Sequence, residues 1–541
     1  MPEQDQPAPS AEPAESVSPA TSAGAALPAE SAESASPEEP EAAPAARNRA
    51  VVVSAAPAGA DRAARAEADR LLAQGYSVLL LTPAFGKRKP EASHGGVHVV
   101  ETRVGTAFDT APGALGKLGR KAVLSTRNVR GKALRDPAAT WSAADVAAEF
   151  GPYLDAFAPD VVVAADKTAG KAAAKLGRTA VAPGAARPAA KAVEPAPSLL
   201  IGSNNNAGMG YAWARAVDTH AGIRARNIQK KSYAFGYGSD IKAEDKDWVD
   251  PLWGLGRVAD TLDTVTHVLS ESGLAVFGRL NGGQLADDLP ELRRAGIRAG
   301  LLFHGSDIRS PDRHVELYKF SPFRAPATDE DRQLTEVLRG KTAEMAKWVA
   351  DFDGPVFVST PDLVDDVPQA TWLPVVVDLA QWTEGARPPL EREVPVVVHA
   401  PSRPFMKGSD LIEPTLRDLE ARGLIEYRRL EHIPQAELVG VVQDADIVLD
   451  HFVIGNYGVM TCQAMAAGRV SIANIDRRVR DRVPARIPTL QADPDTLAEV
   501  IEGVLADRDA ARAVAATGRA FVQEFHDGRK SAQALEPWLR G

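Results

Sequence analysis

Four short runs at 394–398, 425–430, 446–449 and 470–473 alternate with helix-length amphipathic segments. Strand-sized runs joined through helices build a parallel α/β sheet. The same alternation occurs earlier in the chain. Runs at 51–53, 77–81, 97–101, 159–163 and 179–181 predict strands, with helices over 60–74, 142–157 and 167–177. A further set opens with a strand at 198–201, a loop at 202–210 and a helix to about Thr219. It continues with strands at 299–303, 356–359 and 371–377 and a long helix over 327–350. An Ala/Pro-rich linker at 184–197 and a Pro/Glu-rich hinge at 384–395 separate the sets. The pattern predicts α/β domains at 48–190, 198–385 and 394–541, the last completed by helices at 495–505 and 508–526.

The last of these domains carries the clearest candidate chemistry. Its first strand leads into a loop bearing Arg403 and Lys407. Its third leads into Gly455-Asn456-Tyr457-Gly458, opening a helix that ends at Gly468. The first amides of a helix have no partner within it, and its dipole leaves positive charge at that end. Glycines let a ligand approach such backbone closely. In an open parallel sheet both loops fall at the carboxyl edge of the strands, where ligands collect. The spacing predicts a phosphate or diphosphate held between the two cations and the amides at 456–459. A Gly-rich turn beside two solvated cations has the same spacing.

HAPSRPFMKGSD and, after it, DADIVLDHFVIGNYGVMTCQAMAAGRVSI resemble the C-terminal domain of GT-B glycosyltransferases, the group-1, family-4-like retaining enzymes. The resemblance implies two Rossmann-like domains facing across a cleft, with the final helix packing back on the first of them. It implies that Arg403 and Lys407 bind the donor diphosphate beside Gly455, Asn456, Tyr457 and Gly458. Two family glutamates separated by seven residues fall here on Gly455 and Gln463. The second usually grips the donor ribose, and Gln463 can still hydrogen-bond one without the charge. The loop 202–210 resembles the first Gly-rich turn of a GT-B N-terminal domain, which makes Asn206, Gly208 and Gly210 donor-side candidates. A tight strand-to-helix turn would look alike. His304-Gly305-Ser306-Asp307-Ile308-Arg309 resembles a motif at the edge of the interdomain cleft. It implies His304 at the transferred sugar or an acceptor hydroxyl, and Asp307 as its orienter or a base. The plainer alternative is a histidine capping its own turn beside an Asp307–Arg309 surface pair.

Composition adds bounds. The 541 residues, with 45% hydrophobic and 25% charged side chains, suit several soluble domains. The single Cys462 permits no disulfide framework and no cysteine-based zinc site, and predicts a packed apolar residue. Neither a membrane-spanning run nor a signal peptide is legible, so a cytoplasmic location is expected. The net charge of −10 is local: residues 1–46 carry nine carboxylates and no Lys or Arg, and −10 less −9 leaves −1 for the rest. That Ala/Pro/Ser/Glu tail, 1–47, is expected to be disordered. The run 117–135 holds seven cations and no carboxylate. It suits an anionic membrane surface, a polyanionic acceptor, the chain's own tail, or simply a solvated loop. Without interleaved aromatics it does not read as a nucleic-acid platform.

Other motifs are weaker. Asp166-Lys167-Thr168-Ala169-Gly170-Lys171 lacks the first glycine and final Ser/Thr of a P-loop. Asp351-Phe352-Asp353 and Asp444-Ala445-Asp446 read as caps or turns, and His399, His432 and His451 lack ligand spacing, so no metal is expected. No nucleophile elbow occurs. The expected function is transfer of a sugar from a nucleotide-diphosphate sugar to an acceptor hydroxyl. The acceptor would be a glycan or lipid-linked one in cell-surface glycan or polysaccharide synthesis, with no cofactor and a peripheral inner-membrane contact through 117–135. A nucleotide-sugar epimerase of the same fold and a catalytically silent glycan-binding or scaffold protein are the alternatives.

Overall fold

The computed structural model describes residues 47–56, 62–83, 96–102, 122, 126, 129, 137–186, 196–230, 235–385, 387–431 and 433–541. The tail up to residue 46, the seven cations of 117–135 and His432 lie outside them.

All the strand pairs within the three sheets of the described residues are parallel. The first sheet has the order β3-β2-β1-β4-β5, from β1 (Arg49–Val53), β2 (Ser77–Pro83), β3 (Val97–Thr102), β4 (Val161–Ala164) and β5 (Ala180–Val181). Val51 and Val53 face one side of it, Ala50 and Val52 the other, the two-residue period of a strand buried on both faces. The second sheet comprises β6 (Ser198–Gly202), β7 (Arg224–Lys230), β8 (Ile241–Ala243), β9 (His267–Glu271), β10 (Arg298–Phe303), β11 (Val356–Val358) and β12 (Thr371–Trp372). Their order is β12-β11-β10-β9-β6-β7-β8. The third, β14-β13-β15-β16-β17, comprises β13 (Val396–His399), β14 (Glu426–Arg429), β15 (Ile447–Leu449), β16 (Val470–Ala473) and β17 (Leu490–Gln491).

The first domain is docked on the second rather than tethered to it. Helix Ala143–Phe157, capped by Ser142, packs on helix Pro251–Thr264, and one apolar core runs from Val51 through Phe150 to Leu255 and Val258. Arg49 pairs with Asp263 at 2.7 Å, and the Arg47 guanidinium donates to the carbonyls of Leu262, Val265 and Ala295. Asp166 is a cap: it accepts from Ala169 N at 2.8 Å and from Ala55 N at 2.7 Å, joining β1 to the helix Lys167–Lys175.

The strands β7, β8 and β9 were not predicted, and three further elements differ from expectation. The strand expected over 371–377 is paired only at Thr371–Trp372. Pro374, which has no N–H, leads the chain across to the third domain, where Val377 N donates to His526 O. The helix expected over 508–526 is two, Arg508–Ala516 and Gly518–Phe525. At the break a Cβ on Gly518 would lie 3.0 Å from Met465 of the neighbouring helix, so glycine there lets the two approach without crowding. Finally, helix Arg529–Arg540, which the pattern did not predict as a separate element, crosses back onto helix Met209–Ala221 of the second domain. Trp538 there sits edge-on to His267, and Arg540 donates to Ala221 O at 2.7 Å. Among the described residues no helix is long and apolar enough to cross a membrane.

Candidate functional site

On the second domain the loops after β6, β9 and β10 converge on Glu271, the last residue of β9, which is wholly buried. Its Oε2 accepts from the amides of Asn204 and Asn205 at 3.0 and 2.7 Å, and its Oε1 lies 3.0 Å from His304 Nε2. Burial acts against a charged His304, but the hydrogen bond and charge of Glu271, with Asp307 behind, raise its pKa above the ordinary value. The His304 ring also stacks on Trp213. Asp307 is a turn residue: it accepts from the amides of His304 and Gly305 and from the Ser272 hydroxyl. The Asp307–Arg309 pair does not form, because Arg309 turns inward to Asp362. In the 203–210 turn, Gly208 (φ +76°) lies against the Tyr237 ring, and Asn206 is half-buried beside it. Gly210 leaves room for Glu271, whose Oε2 a Cβ there would meet at 3.1 Å.

On the third domain the turn carrying Arg403 and Lys407 lies against the 450–458 loop, with Phe452 N donating to Lys407 O at 3.0 Å. Arg403 is exposed, and no hydrogen bond or ion pair holds its side chain among the described residues. Lys407 is not a free cation; its ammonium is paired with the buried Asp450. Asp450 Oδ2 also accepts from Gly458 N, Thr461 N and, at 2.6 Å, the Thr461 hydroxyl. Burial alone would raise this carboxyl, but Lys407 and these donors hold it well below the usual carboxylate range. Thus a carboxylate of the chain itself caps part of the helix Val459–Ala466, where an external anion was expected. The amides of Val459 and Met460 at that helix end have no protein acceptor among the described residues. Gln463, on the same helix, is nearly buried and its side chain makes no hydrogen bond there. His451 packs over Gly458; its buried Nδ1 has no partner, and burial followed by the Lys407 charge pushes its pKa down to about 4.

Between the two lies a seam. Asp362, after β11, pairs with Arg309 and accepts from Asn456 Nδ2 at 2.8 Å, all three buried. His314 Nε2 lies 3.1 Å from Ile454 O, the Tyr318 ring fills the space over Gly455 (φ +79°), and Arg482 pairs with Asp365. The carboxyl edges of the second and third sheets therefore face one another. At two of the donor-side positions the side chain is engaged elsewhere, which leaves the backbone at the turn. Tyr457 is a core residue, packed on Phe521 and His526 with only its backbone at the turn. Asn456 spends its amide on Asp362 rather than on an open site.

Glu271, Asp450, His451, Asp362 and Tyr318 escaped the sequence reading as site residues. Asp450 and His451 directly follow a strand at its carboxyl end, and Glu271 ends one, but β9 itself was not predicted; Tyr318 has no such signal. The two D-x-D motifs are structural: Asp353 pairs with Arg293, while Asp446 accepts from Leu390 N, Val396 N and Arg392. Among the described residues no group of His, Cys, Asp and Glu is arranged to hold a metal.

No family model and no curated protein matches the chain. Solved structures do. Sucrose-phosphate synthase from Thermosynechococcus elongatus is similar at 14% identity, over 64% of this chain and 98% of that one, with a TM-score of 0.44. HepE from Anabaena, solved with UDP and glucose, is similar at 13% identity over 63% and 98%, with a TM-score of 0.40. The catalytic domain of starch synthase IV from Arabidopsis thaliana, bound to ADP and acarbose, gives 12% over 64% and 99%, with a TM-score of 0.42. By its own topology — two parallel sheets opposed at their carboxyl edges, and a last helix returning to the first of them — the chain has the GT-B fold, with a third Rossmann-like domain docked ahead of it.

Proposed function

We propose that the protein moves a sugar from a nucleotide-diphosphate sugar to an acceptor hydroxyl. The observation that carries this reading is the unpaired Arg403 guanidinium on a turn fastened by Lys407–Asp450 to a helix end with two unmet amides. Those groups suit a diphosphate, and Gln463 suits a ribose. Across the seam His304, held by Glu271, supplies a donor to the sugar or its acceptor. Catalysis is then electrostatic stabilisation of the departing diphosphate, without a metal or cofactor. Hexosyl transfer with retention, a glycan or lipid-linked acceptor in cell-surface glycan synthesis and a peripheral membrane contact rest on the sequence resemblance and the 117–135 charge. A panel of UDP-, GDP-, ADP- and dTDP-sugars read by thermal shift, then by mass spectrometry of the products, tests it. Stabilisation by one donor with transfer to a hydroxyl is the expected result; an epimerised donor, or no shift with any member, defeats the reading.

A catalytically silent binding protein is the second reading. It is favoured by Gly455 and Gln463 standing where the resembled enzymes carry glutamates, and by Tyr318 filling the space over Gly455. Nucleotide binding by calorimetry with no turnover would select it.

A further inference from the structure

Glu271 is a wholly buried carboxylate on which three separate loops of the second domain meet. One oxygen is saturated by the amides of Asn204 and Asn205, which fixes the turn 203–210. The other faces only the His304 imidazole. A buried carboxylate needs compensating donors, and two neutral amides satisfy one oxygen while leaving its charge uncompensated. The ring is fixed from three sides: Glu271 from β9, Asp307 through the backbone of its own loop, and the stacked Trp213 from helix Met209–Ala221. With Nε2 engaged, Nδ1 is the ring's open nitrogen, having no partner among the described residues.

We propose that Glu271 is the positioning residue of the site: it orients His304 through Nε2, so that Nδ1–H is offered to an anionic oxygen of the substrate, and it locks that ring to the 203–210 turn. This rests on the glycosyl-transfer reading for its consequence in turnover, but not for the tie itself. The charged and titratable groups around the ring are Glu271 and Asp307, and both favour the protonated form against its burial. Removing the Glu271 charge leaves burial dominant, so His304 gives up its proton at lower pH.

The test uses the full chain with 13Cε1-labelled histidine, His304 being identified among the ten histidines by its loss in His304→Asn. Glu271→Gln keeps an oxygen for the two amides while removing the charge. The His304 titration should move to lower pH, and the basic limb of kcat should move with it. At pH 8 kcat should fall about 10²-fold, with donor KM and the melting temperature little changed. Glu271→Asp, shorter but charged, should restore the titration in part. A His304 titration unmoved in folded Glu271→Gln overturns the proposal whatever the activity. A moved titration with no transfer from any donor would leave the tie standing and remove the glycosyl-transfer reading instead. Should Glu271→Gln not fold, the wild-type titration decides: a His304 midpoint below that of an ordinary histidine overturns it.

Discussion

Asn456 of the third domain donates its side-chain amide to Asp362 of the second at 2.8 Å, while the other oxygen of Asp362 holds Arg309. Burial would raise the Asp362 carboxyl, but the Arg309 charge and these hydrogen bonds hold it below its ordinary value. The helix end that carries the candidate diphosphate site is thereby coupled to the loop that carries His304. The two contacts are unequal. Asp362→Ala leaves Arg309 buried and unpaired, and should cost about 3–5 kcal/mol. Asn456→Ala removes one hydrogen bond and should cost about 1 kcal/mol. Urea unfolding of both variants separates them; equal losses would mean that Arg309 finds another partner.

Gly455 explains why this chain lacks an acid where the resembled enzymes have one. Its φ is +79°, and a Cβ there would lie 2.6 Å from two atoms of the Tyr318 ring. Gly455→Glu should therefore destabilise by more than about 2 kcal/mol, from left-handed strain and overpacking together. Adding Tyr318→Ala to Gly455→Glu should recover the overpacking part but not the strain. Melting temperatures of the two singles and the double form the cycle, and additive losses would show that the ring yields freely.

The sheets were legible because most of their strands are continuous apolar runs, and parallel strands buried on both faces must be. β7, β8 and β9 escaped; in β7 two of the four buried residues are polar, Asn227 and Gln229, whose side-chain oxygens accept from Asp240 N and Asn205 Nδ2. The candidate loops were legible from the topology, which sends strand ends to one edge. What occupies them was not. That Asp450 fills a helix end, that Tyr457 turns into the core and that Glu271 seats His304 are consequences of packing between different elements: Asp450 with Lys407, Tyr457 with Phe521 and His526, Glu271 with Asn204 and His304. A local pattern places Asp450 at a strand end but does not name the partners of any of the three.

Arg403 and Lys407 should part company on mutation. Arg403 is exposed and unpaired, so Arg403→Ala should leave stability within about 0.5 kcal/mol while lowering turnover about 10²–10³-fold. Lys407→Ala strips Asp450 of its counter-charge inside the protein and should cost about 3–5 kcal/mol. Steady-state kinetics beside denaturant melts will show the split. Undiminished turnover in Arg403→Ala with an identified donor removes the diphosphate role.

The chain should weaken in mild acid, well before its ion pairs break. His314, His399 and His526 are buried against neutral partners, and burial pushes each down to about 4; His267 and His451 follow. A histidine with a depressed folded pKa contributes stability present above about 6.5, its unfolded value, and lost as pH falls through about 4. Each of the three most buried is then worth up to roughly 3 kcal/mol across that window. Two carboxyls work the other way: burial raises Asp288 to about 7 and Asp366 to about 6, so both gain stability as pH falls. His304, raised, holds its contribution below 6.5 and loses it only at higher pH. Five depressed histidines outweigh two raised carboxyls, so denaturant stability should fall from pH 6.5 to 4. His526→Gln, which keeps a donor near Val375 O, should flatten the slope by close to one proton. A flat profile across that window would mean that these imidazoles are solvated and charge freely within the fold.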